Sequence, residues 1–259
     1  QDIQSFLDRR KPGKTSISTP RKEDDLVEIL SGVFEGKTTG TPISLLVANT
    51  SQKSSDYSKI ASYYRPGHAD FTFDSKYGFR DYRGGGRSSG RETIGRVAAG
   101  AVASKILREM GITLTAYTSA IGPVRADLSR FDREAIAVSP TCMPDREADK
   151  RATDYLAQCM RDKDSSGGVV ECVIEGLPAG VGDPGLAKAV MSIGAVKAVE
   201  IGDGFWAASA RGSENNDAFY MEDGKLRKKT NHSGGILGGI SDGSPILLRA
   251  YIKPTPSIF

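Results

Sequence analysis

Residues 65–91, "RPGHADFTFDSKYGFRDYRGGGRSSGR", gather five arginines, six glycines, five aromatic rings and a histidine in 27 positions. Arginine's planar fork suits phosphate and carboxylate, and a glycine-rich approach to a helix start presents backbone N–H groups at the positive end of the helix dipole. Gly84-Gly85-Gly86 run into Arg87-Ser88-Ser89-Gly90-Arg91-Glu92, where Ser89 followed by Glu92 has capping-box spacing. The pattern is neither GxGxxG after a strand nor GxxxxGK[ST], so no Rossmann or Walker site is indicated. His68, one of two histidines, follows Pro66-Gly67; in a pocket with the arginines it is the natural proton donor or acceptor. Two readings stay open: an anion site, or arginines paired with Asp70, Asp74, Asp81 and Glu92 on a solvated surface.

A second cluster, "NHSGGILGGISDGSP" at 231–245, holds five glycines. The spacing suits backbone approaching a flat ligand, and it equally suits a tight hairpin. His232 is read as a turn residue. "GDGFW" at 202–206 and "KPTPS" at 253–257, where Lys253, Thr255 and Ser257 could hold a phosphate, complete the unusual runs.

The elements that must carry these groups follow from periodicity. Ile3, Phe6 and Leu7 predict an opening helix, and Thr19-Pro20 predicts a cap and first turn of a helix through about Leu30. "TPISLLVANT" at 41–50 predicts a buried strand. Ile94, Val97, Ala98, Ala101 and Val102 mark a helix that Gly111 ends, before a strand over 112–120. Asp145–Arg161 predicts a surface helix, "SSGGVVECVIEGLP" a strand, "DPGLAKAVMSIG" a short helix with Pro184 near its start, and "AVKAVEIGDGF" and "ILLRAYI" strands. No linker divides the chain, so one α+β domain over 1–259 is expected.

Composition narrows the class. Thirty-five basic against 32 acidic residues leave a net charge of only +3, short of a dedicated nucleic-acid binder. Cys142, Cys159 and Cys172 have no zinc or CxxC spacing and read as reduced thiols. No run approaches the roughly 18 apolar residues that span a bilayer, and the expected compartment is the cytoplasm. The chain opens inside an element and closes on a proline-bearing loop, which reads as truncation at both ends.

Taken in order, "RPGHADFTFDSKYGFRDYRGGGRSSGRET", "MSIGAVKAVEIGDGF", "NHSGGILGGISDG" and "KPTPS", with "RRKPG" and "EILSGVFEGKTTGTPI" ahead of them, resemble chorismate synthase along essentially the whole chain. The resemblance implies an α+β layered sandwich, with sheets packed between helices, that forms a homotetramer. It implies 1,4-anti elimination of phosphate and the C6 proton from 5-enolpyruvylshikimate 3-phosphate, with reduced FMN and no net redox change. Some members of the family reduce their own flavin with NADP. By position, His68 matches a catalytic histidine that protonates the reduced flavin; Arg10, Arg65 and Arg91 match substrate-anion contacts. Arg87, Ser88, Ser89, Gly194, Ala195, Gly238, Lys253, Pro254, Thr255, Pro256 and Ser257 match flavin contacts, with no metal.

Ser16 and Gly90 depart from the family's usual arginine and alanine. The family's "GESHG" motif and its carboxy-terminal Arg/Asp segment do not occur in these residues, which implies little or no turnover. The competing readings are a phosphate- or RNA-binding module using Arg80, Arg83, Arg87 and Arg91 with Tyr77, Phe79 and Tyr82 as stacking rings, and a flavin oxidoreductase taking hydride from a nicotinamide.

Overall fold

The structure is a computed structural model that describes residues 2–19, 21–50, 59–83, 86–182 and 185–258, and of Lys59 and Arg87 the backbone only. Pro20, Gly84, Gly85, Pro184 and the Arg87 side chain, all singled out in the sequence, lie outside the described residues. The chain groups into two units, residues 1–106 and 107–259.

In the first unit, the apolar spacing of Ile3, Phe6 and Leu7 gives helix α1 (Asp2–Asp8), with Leu7 buried. Strand β1 (Val27–Ser31) follows where a helix through Leu30 was expected. Val27 and Ile29 are β-branched, and the run pairs antiparallel with β4 (Ser44–Val47) in the register Val27↔Val47; tertiary pairing overrides the local Thr-Pro signal. Gln4 Oε1 accepts from Val27 N at 2.9 Å, tying β1 to α1. Between β1 and β4, β2 (Val33–Phe34) and β3 (Lys37–Thr38) form a hairpin whose turn residues Glu35 and Gly36 both have positive φ, 48° and 76°, as a type I′ turn requires. Helix α2 (Asp70–Tyr77) ends on Gly78 at φ 78°. Helix α3 (Thr93–Glu109) buries Ala98 and Ala101 and stops at Gly111, φ 75°, with Ile112 N donating to Leu107 O at 2.8 Å.

The second unit is built on a five-stranded antiparallel sheet of β5 (Thr113–Ile121), β6 (Val124–Arg125), β7 (Gly168–Glu175), β8 (Val196–Ile201) and β13 (Ile246–Ile252), in the order β6-β5-β7-β13-β8. Helices α4 (Arg133–Val138), α5 (Arg146–Arg161), α6 (Leu186–Met191) and α7 (Gly212–Asn215) accompany it, with hairpins β9 (Phe219–Glu222)–β10 (Lys225–Lys228) and β11 (Ile236–Leu237)–β12 (Ile240–Ser241). The N-cap of α5, Asp145, accepts from Glu147 N at 3.0 Å and Ala148 N at 3.3 Å and pairs with Arg130 at 2.7 Å. Ala148 and Ala152 on this helix pack with Met143 against Ile121, Val124 and Ala126 as a small core. The mixture of helices and antiparallel strands agrees with the α+β expectation.

Candidate functional sites

The segment rich in arginine is folded around ion pairs. Arg65 sets its fork on Asp70, Nε to Oδ2 and Nη2 to Oδ1 both at 2.9 Å, and its backbone N–H donates to Oδ2 at 3.1 Å. Asp70 opens α2 with its side chain only 5% exposed. Arg80 pairs with Asp74 at 3.0 Å, donates to the carbonyls of Ile60 and Tyr63 at 2.5 and 2.9 Å, and lies 4.9 Å from the Tyr64 ring centroid. At 8% exposure Arg80 is an internal clasp, which removes it from any nucleic-acid stacking surface. Arg83 pairs with Asp81 and Arg96 with Glu92 at 3.6 Å each, in the open. The expected pairing with Asp70, Asp74 and Asp81 is therefore present, but its central members are buried rather than solvated.

The hydrogen bonds from Arg65 hold the Asp70 carboxyl down at about 2, against the desolvation that acts to raise it. A carboxylate depressed in the fold contributes stability that is present above about pH 4 and is lost as pH falls through about 2. Asp70→Asn is accordingly expected to cost on the order of 2 kcal/mol at neutral pH and to flatten this part of the acid limb. Urea denaturation at pH 7 and pH 2 checks it; an acid limb identical to that of the unsubstituted protein contradicts it.

His68 sits in the Pro-Gly turn before α2, where Gly67 has φ 70°. Its Nδ1 lies 3.0 Å from Pro66 O, and because a carbonyl only accepts, Nδ1 carries the hydrogen. Nε2 is then the atom at which a proton is taken up or given.

Arg91 reaches back across 66 residues: Nη2 is 2.6 Å from Asp25 Oδ1 and 3.1 Å from Glu23 Oε2, and Arg21 Nε is 3.1 Å from Glu23 Oε1. The side chains of Glu23 and Asp25 are 1% and 6% exposed. Neither acid stood out in the sequence, because their partner is so distant. Ser89 caps the turn into α3, its Oγ accepting from Arg91 N at 3.2 Å, while Glu92 pairs with Arg96 instead of returning to the cap. Ser88 lies in the preceding 3-10 turn, Gly86–Ser88. Arg10 lies beyond α1, its guanidinium carbon 3.6 Å from the Phe6 ring centroid and its Nη1 donating to Phe6 O at 3.0 Å. An apolar groove of 490 Å³ between β4 and α3, lined by Leu45, Val47, Ile94, Ala98 and Val102, offers no charge to an anion.

In the second unit, Lys253 N donates to Ala195 O at 3.0 Å, and Ser165 Oγ to Thr255 O at 2.6 Å, which places the 253–257 run beside the 194–195 turn. Ala195 holds φ 71°, uncommon for a residue with a Cβ. The glycine cluster divides in two. A Cβ on Gly234 would meet Gly202 N at 2.2 Å, and one on Gly235 would meet Pro245 O at 2.6 Å, so these positions serve chain-to-chain contact. Gly238 and Gly239, at φ 60° and 85°, make the two-residue turn of the β11–β12 hairpin, and a Cβ on Gly238 would meet nothing within 4 Å; Gly194 is equally open. The hairpin reading holds at Gly238-Gly239. The open backbones at Gly194 and Gly238 fit a flat ligand, whereas Gly202 and Gly234 could not admit one. His232 Nδ1 lies 2.7 Å from Asp203 Oδ2, and His232 O accepts from Asp203 N at 2.9 Å, so this histidine fastens the loop to the end of β8.

Among the described residues, no helix is long and apolar enough to cross a membrane. A protein-family match described as chorismate synthase spans residues 1–259. A chorismate synthase from Lachnoclostridium phytofermentans is 66% identical over 264 residues, covering 99% of this chain and 72% of that protein. One from Methanosarcina mazei is 53% identical over 266 residues, covering 99% of this chain and 73% of its own length. A crystal structure of a chorismate synthase aligns with a TM-score of 0.81 at 33% identity, covering 99% of this chain and 76% of that one.

Proposed function

This chain belongs to the chorismate synthase family, and on that premise we propose that it converts 5-enolpyruvylshikimate 3-phosphate to chorismate by 1,4-anti elimination of phosphate and the C6 proton, with reduced FMN as cofactor. The family makes it a lyase of the shikimate pathway. The observation that carries the reading is the unbroken family match over 1–259, which contains every segment argued above.

FMN, when bound, supplies electron density that eases departure of the phosphate. The chain's own residues bind, orient and move protons. Arg10, Arg65 and Arg91 receive the substrate's phosphate and carboxylates. Arg91 meets Asp25 and Glu23 through Nη2, and Nε and Nη1 are the atoms assigned to the anion. Asp70 holds Arg65 in place before any ligand arrives, so little reorganisation is needed. Ser88 and Ser89, with Arg87, stand at the approach to α3, where backbone N–H groups favour the flavin phosphate. Gly194, Ala195 and Gly238 allow close approach of the ring, and Lys253, Pro254, Thr255, Pro256 and Ser257 form the remaining contacts. His68 delivers its proton from Nε2. Residues 1–259 work as a single domain within a cytoplasmic homotetramer.

The test is product stoichiometry under anaerobic conditions with the substrate and reduced FMN. The ratio is more telling than the rate, because it separates elimination from hydrolysis and from redox loss. Chorismate and phosphate in equal amounts, with no net flavin oxidation, are expected. Phosphate without chorismate, or flavin oxidised in proportion to product, contradicts the reading.

A further inference from the structure

Lys228, the last residue of β10, is 3% exposed in a run, "KLRKK", that otherwise looks like a solvated basic patch. Its Nζ lies 3.2 Å from Asp217 Oδ2, 3.0 Å from Asn231 Oδ1, 2.6 Å from Ser233 Oγ and 2.7 Å from Asp242 Oδ2. A lysine is kept charged in the interior only where acceptors surround it, and here two carboxylates do. Those acceptors come from three separate stretches of chain.

Each stretch is tied in turn to the glycine loop. Asp217 accepts from His232 N at 2.8 Å and Ser233 N at 3.0 Å. Asn231 Oδ1 accepts from Gly235 N at 2.8 Å, and Asn231 Nδ2 donates to Pro245 O at 2.8 Å. Asp242 N donates to Gly235 O at 3.0 Å. Gly235 and Asp242 flank the β11–β12 hairpin, so one ammonium fixes both of its ends. With two residues per strand, the hairpin is too short to hold its own shape.

We propose that Lys228 is a positioning residue for the cofactor: its buried network sets the hairpin and thereby places the open backbone of Gly238 against the flavin. The inference rests on the assignment of Gly238 to the FMN site. Lys228, at 3% exposure, acts through Asn231 and Asp242.

The test is anaerobic titration of reduced FMN into the unsubstituted protein, Lys228→Met and Asn231→Ala, with hydrogen exchange of the 236–241 amides. Lys228→Met strands Asp217 and Asp242 and can fail to fold, so Asn231→Ala is the deciding variant: it keeps both carboxylates on Lys228 and removes the Asn231 link that joins the ammonium to Gly235 and Pro245. In Asn231→Ala the hairpin amides are expected to exchange faster and the Kd for reduced FMN to rise about tenfold, the loss expected when a preorganised loop must be ordered on binding. A merely structural lysine network would leave the variant's affinity unchanged. Affinity within about twofold of the unsubstituted protein, or unchanged hairpin exchange, overturns the positioning role. Failure of the unsubstituted protein to bind reduced FMN overturns the cofactor assignment, and the role of Lys228 with it.

Discussion

Replacing His68 with alanine is expected to slow chorismate formation about 10²–10⁴-fold relative to the unsubstituted protein, the usual contribution of a positioned general acid or base. Thermal stability should change little, by about 0.5 kcal/mol or less, because the ring is only partly buried. The asymmetry is the point of the prediction. Nδ1 is committed to a carbonyl, so the ring's exchangeable chemistry is at Nε2, and alanine removes that chemistry while leaving Gly67 to make the turn. Single-turnover rates and thermal melts on the same preparations decide it. A lowered melting temperature with an unchanged rate would reassign His68 to structure.

The second large effect is on folding. Arg91→Ala leaves Asp25, 6% exposed, without the cation at 2.6 Å, while Glu23 keeps Arg21 at 3.1 Å. Removing one partner of a buried pair costs about 3–5 kcal/mol, chiefly because the other charge stays behind, and the surviving Arg21 contact puts this case toward the lower end. The double variant Arg91→Ala/Asp25→Asn should recover much of that loss, since an amide tolerates the site without a cation. Substrate affinity should not recover with it, because the anion contact is still missing. Urea melts of both variants, with substrate titrations of the double variant, separate the two roles. Equal stability of Arg91→Ala and the unsubstituted protein would mean that the buried acids do not depend on Arg91.

Much of this arrangement was legible in residue types, and the rest was not for identifiable reasons. Helix α3, the strands β5, β7, β8 and β13 and the Pro-Gly turn at His68 follow from periodicity and from glycine's access to positive φ. β1 was misread because Thr19-Pro20 is a local helix signal, whereas pairing with β4 is a tertiary fact that no window of sequence contains. Glu23 and Asp25 carry no local signal; only the fold brings them to Arg91. Lys228 was hidden in the same way, one buried lysine within a basic run. The glycine cluster at 234–243 was over-read in part: Gly234 and Gly235 are small because other backbone touches them, and Gly238 alone of these three faces open space.

The assignment of an anion- and flavin-binding site is tested most directly by anaerobic titration of reduced FMN into the protein, with and without 5-enolpyruvylshikimate 3-phosphate, following flavin absorbance. Saturable binding that tightens in the presence of the substrate is the predicted result. A flavin spectrum unchanged by the protein under both conditions would contradict it.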